Sequence, residues 1–238
     1  MSKALFILIL LLSTLSHTRA NECGKWFDNL NSPLCTDARY IFWTGTILTA
    51  AIYLSDDDLS GKARRATLRK KPLDRWSKVG EVIGWGYLNG TYFLGSLIAG
   101  GASNRKNAEY MAEASGYTLA LTLLGKEIIQ EQRPDQSEEF DSFPSGHTSM
   151  AFAFATVITA NHGWAWGLLG HLTAAFIGYS RIQDDRHYLH DVLAGATLGM
   201  SYGWGVYYNH AQYGKPYWFS IVPTEDLQGL QFALTGKF

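Results

Sequence analysis

The sequence predicts an all-α fold, a helical bundle that forms a single domain. Apolar segments of helical length follow one another along most of the chain, and no sustained alternation of apolar and polar residues indicates a strand. No internal repeat and no linker divides the chain. The chain has 238 residues, of which 47% are hydrophobic, and this is enough for one domain with a sizeable core.

The composition excludes several classes of protein and binding site. The high hydrophobic content and the presence of only 6 prolines exclude a disordered or collagen-like chain. Two cysteines are too few for a disulfide-framework fold or a structural zinc site. The formal net charge of -1 provides no basic surface of the kind that nucleic-acid-binding proteins carry, so we expect no nucleic-acid partner.

Residues 1–20 have the pattern of a secretory signal peptide. Lys3 supplies the positive charge, residues 4–12 are an unbroken apolar run, and the small residues Thr18 and Ala20 precede a cleavage site after Ala20. An uncleaved membrane anchor is the alternative. The pattern predicts export, with the mature protein in the periplasm.

The two cysteines lie near the start of the mature chain, residues 21–238. Export would place Cys23 and Cys35 in an oxidising compartment. They could pair and close a short loop, or they could remain free thiols, and spacing alone does not choose between the two.

The first half of the mature chain contains two apolar segments and one basic segment. Residues 39–54 are apolar and end at a run of serine and aspartates. The basic segment 62–71 is interpreted as the solvated face of a helix, with an anion-binding patch as the alternative. Residues 82–101 are apolar but contain several glycines, whose small size lets helices pack closely.

The second half continues with longer helices. Residues 107–132 have a helical pattern that stops at Pro134, and a polar, acidic loop follows over residues 135–143. Three further helices are predicted over residues 146–160, 164–180 and 187–208. The tail, residues 214–238, is expected to be irregular.

The first of three chemically informative blocks is a lysine followed seven residues later by Arg133-Pro134. Seven residues make nearly two helical turns, so Lys126 and Arg133 would project from the same face. Pro134 disfavours regular helix at Arg133, which lets that side chain turn inward. Two neighbouring cations suit a dianion, although surface charge explains this block equally well when it is taken alone.

The second block is Pro-Ser-Gly-His over residues 144–147, directly before an apolar helix. Ser145 and Gly146 at a helix start expose backbone N–H groups, which together with the helix dipole form a phosphate site. His147 would lie in the first turn, where the positive dipole lowers its pKa and a bound phosphate raises it again. Taken alone, this histidine is as compatible with a structural role as with a catalytic one.

The third block contains Ser-Arg, a histidine and an aspartate. Arg181 can bind phosphate oxygens in bidentate fashion. His187 and Asp191 are four residues apart, so on a helix they face the same way, and the carboxylate can hold Nδ1–H and leave Nε2 free as a nucleophile or base. His190 is adjacent to Asp191 in sequence, but on a helix we expect it to point elsewhere.

Together the three blocks resemble the signature of the type-2 phosphatidic acid phosphatase superfamily. That group includes class A acid phosphatases, lipid phosphate phosphatases and vanadium haloperoxidases. Its signature is Lys-x6-Arg-Pro, then Pro-Ser-Gly-His, then Ser-Arg-x5-His-x3-Asp, and every specified residue is present here in order and at the family's internal spacing. The resemblance covers residues 126–191 by motif and about 107–208 by helix pattern, and the loop 135–143 is shorter than is usual in the family.

The resemblance implies the helical fold of the acid phosphatase and haloperoxidase type and a role for each motif residue. His187 would attack phosphorus and form a phosphohistidine, Asp191 would orient it, and His147 would protonate the leaving group and then activate water. The phosphoryl oxygens would be held by side-chain cations and backbone N–H groups of five residues: Lys126, Arg133, Ser145, Gly146 and Arg181.

No cofactor or metal ion is expected. Three cations and a helix N-terminus can neutralise a phosphoryl group without a metal. No acidic or histidine cluster in the sequence demands one, and the aspartates of segments 56–58 and 184–185 are interpreted as solvated loop residues and helix punctuation.

The main functional prediction is an exported, metal-independent phosphatase that hydrolyses phosphomonoesters. A membrane-associated lipid phosphate or lipid pyrophosphate phosphatase, with its site facing the periplasm, is the alternative, and a vanadium-dependent haloperoxidase is a minor one. A non-catalytic helical scaffold would leave the motif residues unexplained. The predicted helices are short for membrane spans, which favours a soluble or peripheral enzyme, and the 8 tryptophans and 13 tyrosines could seat it on a membrane surface.

Overall fold

The computed structural model describes residues 29–55, 60–213, 218–223 and 230–235. The predicted signal peptide and Cys23 lie outside these ranges. The described helices and strands are, in chain order, α1 (Ser32–Cys35), α2 (Arg39–Leu54), α3 (Ser60–Lys70), α4 (Ser77–Gly84), α5 (Tyr87–Ala99), α6 (Gly101–Ile129), α7 (Gly146–His162), α8 (Trp164–Gln183), α9 (Leu189–Tyr213), β1 (Trp218–Pro223) and β2 (Leu230–Thr235). A 3-10 turn, Asp74–Trp76, directly precedes α4.

Helix α7 lies at the centre of the bundle, in contact with α6, α8 and α9. Its alanines let the neighbouring helices approach closely. Gly170 of α8 lies against the backbone of Ala155, and Gly199 of α9 lies against the backbone of Ala153. Each of these helices begins or ends at the end of the bundle that carries the three motif blocks. Close packing around α7 therefore brings the motif residues together.

Two groups of buried apolar side chains form the core around α7. One joins α6, α7 and α9, and the other joins α7 and α8. The first group comprises Tyr110, Met111, Ala114, Val157 and Val206. The second comprises Ala151, Ala155, Ala174 and Ile177. The bundle predicted from the sequence is therefore confirmed.

The boundaries of several helices differ from the prediction. The apolar segment 82–101 is divided into two helices, because Gly86 adopts a left-handed φ of 86° between α4 and α5. Helix α6 begins at Gly101, six residues earlier than predicted. The last helix begins at Leu189, so His187 precedes it instead of lying on it.

The C-terminal tail contains an antiparallel two-stranded sheet, and the prediction of an irregular tail is wrong for these residues. Trp218 pairs with Thr235, and Pro223 pairs with Leu230. Each strand has only six residues. Such a short segment shows too few alternations for the period of a strand to stand out in the sequence.

A buried polar cluster attaches the start of the described chain to the bundle. Asn29 Nδ2 donates a hydrogen bond to Glu113 Oε2 at 2.8 Å, and His210 Nε2 lies 2.7 Å from the same oxygen. Asn209 Nδ2 donates to Asn29 Oδ1 at 3.0 Å. Cys35 is disulfide-bonded, and its predicted partner, Cys23, is outside the described residues.

Within the described part of the chain, no helix is both long enough and apolar enough to cross a membrane.

Candidate active site

The motif residues lie at the end of the bundle where α6 and α8 end and α7 and α9 begin. They come from five places: Lys126 in the last turn of α6, Arg133 in the loop after it, Ser145, Gly146 and His147 at the start of α7, Arg181 in the last turn of α8, and His187 and Asp191 at the start of α9. The backbone N–H of Ser145 donates to the carbonyl of Asp191 at 3.1 Å, which ties the starts of α7 and α9 together.

The predicted histidine–aspartate pair is present, although not on one regular helix. His187 Nδ1 lies 3.4 Å from Asp191 Oδ2, and both side chains are buried. Asp191 stands in the first turn of α9, where the helix dipole favours a negative charge. Its Oδ2 also accepts hydrogen bonds from Ser142 Oγ at 2.6 Å and from the Tyr188 N–H at 2.8 Å.

These contacts set the charge states of the pair. Burial alone would raise the pKa of Asp191, but hydrogen bonds from His187 and His190 outweigh it and hold that pKa far below its usual value. Burial lowers the pKa of His187, and the hydrogen bond to Asp191 acts in the opposite direction. A neutral imidazole with its Nδ1–H held by a carboxylate has a free electron pair on Nε2, which is the form that a nucleophile requires.

His147 is enclosed on one side by the segment before α5. Its ring packs edge-on against Trp85 at a centroid distance of 5.0 Å, and Gly84 leaves the room that the imidazole occupies. Its Nε2 is buried and has no hydrogen-bond partner among the described residues. Burial, followed by the positive charge of Arg181, lowers the pKa of His147 to about 3.

The start of α7 can receive an anion. Ser145 is the N-cap residue, and no side chain caps the helix, so its first N–H groups are available to a ligand. The hydroxyl of Ser145 is instead 2.9 Å from that of Thr148. The prediction that this turn presents backbone donors is consistent with this geometry.

Arg181 is almost fully buried and rigidly held. Its Nη2 donates to Asp184 Oδ2 at 2.8 Å and to the carbonyl of Ser77 at 3.2 Å, and its Nε donates to Ser180 Oγ at 3.2 Å. Asp184 is the C-cap residue of α8, in agreement with its interpretation as helix punctuation, and it is in addition the ion-pair partner of Arg181. An arginine fixed on several sides presents its remaining donors in one direction.

Lys126 and Arg133 meet at a carboxylate that the sequence analysis did not single out. Arg133 holds Asp141 in bidentate fashion, with Nε–Oδ1 and Nη2–Oδ2 distances of 2.7 and 2.9 Å. Lys126 Nζ donates to the backbone carbonyl of Asp141 and lies 3.7 Å from its Oδ2. The hydrogen bond from Arg133 is the main reason that the pKa of Asp141 falls to about 2.

His190 does not point away from the site, as predicted, but faces Asp191. Its Nε2 lies 3.2 Å from Asp191 Oδ1 and 3.1 Å from each carboxylate oxygen of Glu131. The oxygen and nitrogen atoms of these three side chains lie within 4.8 Å of one another, a grouping that the sequence analysis did not anticipate. The imidazole nitrogen that faces the carboxylates is used in the hydrogen bonds to Glu131, whereas Asp191 Oδ1 has no hydrogen-bond partner among the described residues.

One residue of the basic segment is also part of the site's framework. Arg64 is paired with Asp185 through two hydrogen bonds and donates to the carbonyl of Pro134 at 2.9 Å. It therefore joins the loop after α8 to the loop after α6. Arg64 and Asp185 are therefore not simply solvated, because they form a partly buried ion pair. This pairing spans 121 residues of sequence and could not be read from either segment alone.

The family comparison agrees with this arrangement. Residues 111–215 match the family model described as the PAP2 superfamily, and this range includes all eight predicted catalytic and phosphate-binding residues. This part of the chain is similar to the PAP2 superfamily, and the match covers less than half of the chain. The resemblance inferred from the three motif blocks is thereby confirmed.

The chain is also similar to curated proteins whose names identify them as lipid phosphatases. It is 35% identical over 133 residues to lipid A 1-phosphatase from Porphyromonas gingivalis, a match that covers 53% of this chain and 27% of that protein. It is 33% identical over 90 residues to lipid phosphate phosphatase 1 from Arabidopsis thaliana, covering 32% and 28% of the two chains. The matches thus span little more than a quarter of each relative's length.

Two solved structures share the fold. LpxE from Aquifex aeolicus is 26% identical, with a TM-score of 0.56 over 63% of this chain and 96% of that chain. The transmembrane PAP2-type phosphatidylglycerolphosphate phosphatase from Bacillus subtilis is 22% identical, with a TM-score of 0.58 over 74% and 96%. The second comparison is one of fold alone.

Proposed function

We propose that the protein is a phosphatase that hydrolyses lipid phosphate monoesters through a phosphohistidine. The observation that carries this proposal is the convergence of a buried histidine–aspartate pair with three cations and an uncapped helix N-terminus. Phosphoryl transfer depends mainly on positioning and on neutralising the charge of the transferred group, and these are the features that the site provides.

In the first step His187 Nε2 attacks phosphorus, and the bond from phosphorus to the ester oxygen breaks. Asp191 holds the Nδ1–H and stabilises the positive charge that develops on the imidazole. The leaving oxygen takes a proton from His147. With the site empty, the low pKa of His147 leaves it unprotonated at neutral pH, so the doubly charged phosphate must raise that pKa for His147 to act as the acid.

In the second step His147 takes a proton from water, and the water oxygen attacks the phosphohistidine. The phosphorus–nitrogen bond breaks, inorganic phosphate forms, and His187 returns to its neutral state. Throughout both steps Arg181 is held in place by Asp184 and by the backbone, so its orientation does not depend on the substrate.

A lipid substrate is favoured by the surface beside the site. Helix α4 buries one face against α8 and His147, whereas the other side of the same segment exposes large apolar side chains. The exposed residues are Trp76, Val79, Val82, Trp85 and Tyr87. Aromatic and aliphatic side chains of this kind suit the boundary between lipid headgroups and acyl chains. The names of the curated relatives point to the same substrate class.

Export remains part of the proposal. Residues 1–20 predict that the mature protein begins near Asn21 in the periplasm, where Cys23 would pair with Cys35. Intact-mass measurement before and after reduction tests both points. An unprocessed N-terminus would support the alternative of an uncleaved membrane anchor. Alkylation of the cysteines without prior reduction would contradict the disulfide.

The function is tested by phosphate release from two substrates, a lipid phosphate in mixed micelles and a soluble sugar phosphate. We expect the lipid to be the better substrate, activity to survive excess EDTA, and vanadate to inhibit. The His187→Ala variant should be inactive, and a matched variant, His171→Ala, should retain activity because His171 bonds only to its own helix at Gly167 among the described residues. Activity that is lost with EDTA and restored by one metal would overturn the mechanism.

The lipid preference has its own test. The double variant Val79→Ser/Val82→Ser should raise KM for the micellar lipid and leave hydrolysis of the sugar phosphate unchanged. Ile47→Ser, an equally exposed site on α2, serves as the control. Equal effects on both substrates would show that α4 is not part of the lipid-binding surface. A wild-type preference for the sugar phosphate would favour the alternative function, a soluble phosphomonoesterase.

A further inference from the structure

The catalytic pair is extended by two further ionisable side chains. In the order Glu131, His190, Asp191 and His187, each group lies within 3.4 Å of the next. His190 and Asp191 have no solvent exposure, and the side chain of Glu131 is 19% exposed. The arrangement of a histidine held by a carboxylate therefore occurs twice in succession.

The two oxygens of Asp191 face different partners. Its Oδ2 accepts hydrogen bonds from the Ser142 hydroxyl and the Tyr188 N–H, and it lies 3.4 Å from His187 Nδ1. Its Oδ1 lies 3.2 Å from His190 Nε2, an ion-pair distance, and has no hydrogen-bond partner among the described residues. Without His190, one oxygen of a buried carboxylate would have no compensating charge.

The ring of His190 is fixed by aromatic neighbours from three segments. Tyr188 stacks on it at 5.2 Å, Tyr53 of α2 packs edge-on at 5.0 Å, and Phe143 lies at 6.2 Å. The titratable groups that face His190 are thus the two tyrosines and the carboxyl groups of Glu131 and Asp191. The rings hold the imidazole so that Nε2 is hydrogen-bonded to Glu131 and lies 3.2 Å from Asp191 Oδ1.

The charge states support this geometry. Burial would lower the pKa of His190, but its hydrogen bonds to Asp191 and Glu131 outweigh burial and raise that pKa to about 10. Burial raises the pKa of Glu131 to about 7, and its hydrogen bond to His190 acts against this increase. His190 therefore keeps its proton while Asp191 stays ionised.

We propose that Glu131 and His190 are positioning residues that hold Asp191 ionised and correctly oriented, and thereby prepare His187 for attack. This inference rests on the proposed phosphatase function. Neither residue touches the substrate, and no proton moves between them during the reaction. When Glu131 is ionised, the positive charge of His190 compensates it, so the three groups together then present a single negative charge to His187.

The test uses three variants that change the charge of this group without removing its hydrogen-bonding capacity. His190→Gln leaves two negative charges, Glu131→Gln leaves none, and the double variant restores one. A more negative group favours protonated His187, so the acid limb of the kcat/KM profile should move to higher pH in His190→Gln. It should move to lower pH in Glu131→Gln and return toward the wild-type position in the double variant.

The single variants should also lower kcat roughly tenfold with little change in KM, as is typical when a group that orients a catalytic residue is altered. Histidine NMR supplies a readout that does not require turnover, because His190 should titrate at lower pH in Glu131→Gln. His171→Gln is the matched control and should leave the profile unchanged. Thermal unfolding checks that each variant is folded, and if His190→Gln does not fold, the opposite shift expected in Glu131→Gln still decides the matter.

A purely structural role predicts additive losses in the double variant and acid limbs that stay at the wild-type pH, and either result would overturn the inference. Failure of the proposed function is distinguishable, because the wild-type protein would then release no phosphate from any ester. In that case the inference falls with it, even if the NMR titration of His190 behaves as expected.

Discussion

The carboxylate of Asp141 lies where two of the predicted phosphate-binding cations meet, and its removal should strengthen phosphate binding. Arg133 donates hydrogen bonds to both carboxylate oxygens of Asp141, and Lys126 Nζ lies 3.7 Å from one of them. A phosphate that binds these cations must displace this carboxylate. The Asp141→Asn variant keeps the side chain's size and the backbone carbonyl that Lys126 uses, and it removes only the negative charge.

The size of the effect follows from the exposure of the pair. Hydrogen bonds to charged groups contribute about 1.5–3 kcal/mol when they are well buried. The Asp141 side chain is 43% exposed, so solvent screening reduces its contribution toward the range of surface ion pairs, about 1 kcal/mol at most. Since ~1.4 kcal/mol corresponds to a tenfold change in affinity, we expect phosphate to bind more tightly to Asp141→Asn by a factor of up to about five.

The pH dependence of this effect is also fixed by the structure. The folded-state pKa of Asp141 is lowered to about 2, so the carboxylate is ionised throughout the range of ordinary assays and the gain in affinity should not vary there. A lowered folded pKa stabilises the fold above the unfolded value of about 3.9, and this contribution is lost as the pH falls toward 2. The variant should therefore be slightly less stable than wild type at neutral pH but not at strongly acidic pH.

The assay is competitive inhibition of soluble-ester hydrolysis by inorganic phosphate at two or three pH values. Glu139→Gln is the matched control, because Glu139 also pairs with Arg133 but is more exposed, and we expect it to have a smaller effect. Weaker inhibition by phosphate in Asp141→Asn would refute the reasoning. It would mean that Asp141 orients Arg133 for the substrate and does not compete with it.

Three further predictions concern the two histidines and the central packing. In His147→Ala, the rate of His187 phosphorylation by a sugar phosphate should fall ~10²–10⁴-fold. The rate with p-nitrophenyl phosphate should fall much less, because p-nitrophenolate leaves without taking up a proton. Equal losses of rate with both substrates in pre-steady-state kinetics would assign His147 to binding. Wild-type protein quenched in alkali should carry phosphate on His187 by peptide mass spectrometry, and label on His147 or His190 would contradict the assignment. Gly199→Ala places a Cβ 2.7 Å from the backbone nitrogen of Ala153, which should cost about 1–3 kcal/mol and lower Tm by several degrees. Gly95→Ala, with nothing within 4 Å, should not lower Tm.

The sequence was informative wherever function depends on local spacing. Helical periodicity and stop signals located the main helices, and the three motif blocks named eight site residues that the fold brings to one end of the bundle. The start of α7 is an example, because Ser-Gly before an apolar run predicts both a helix start and free N–H groups from neighbouring residues alone.

The residues that were missed act through contacts between distant segments. Asp141 and Ser142 lie in a polar loop whose composition resembles any solvated loop, and only the folded chain places them against Arg133 and Asp191. Arg64 reaches Asp185 across 121 residues. Neither charge nor spacing within one segment encodes which partner a loop carboxylate or a surface arginine will meet.

His190 shows how one wrong assumption about local structure hides a functional contact. If residues 187–191 formed continuous helix, His187 and Asp191 would share a face and His190 would point away from Asp191, its neighbour in sequence. Because α9 begins at Leu189, His187 lies on the preceding loop and reaches Asp191 Oδ2, while the other carboxylate oxygen is left for His190. At the start of a helix, one aspartate can thus contact two histidines, one through each carboxylate oxygen. This geometry also explains why substituting Glu131, which belongs to neither motif, should change the pH at which His187 becomes active.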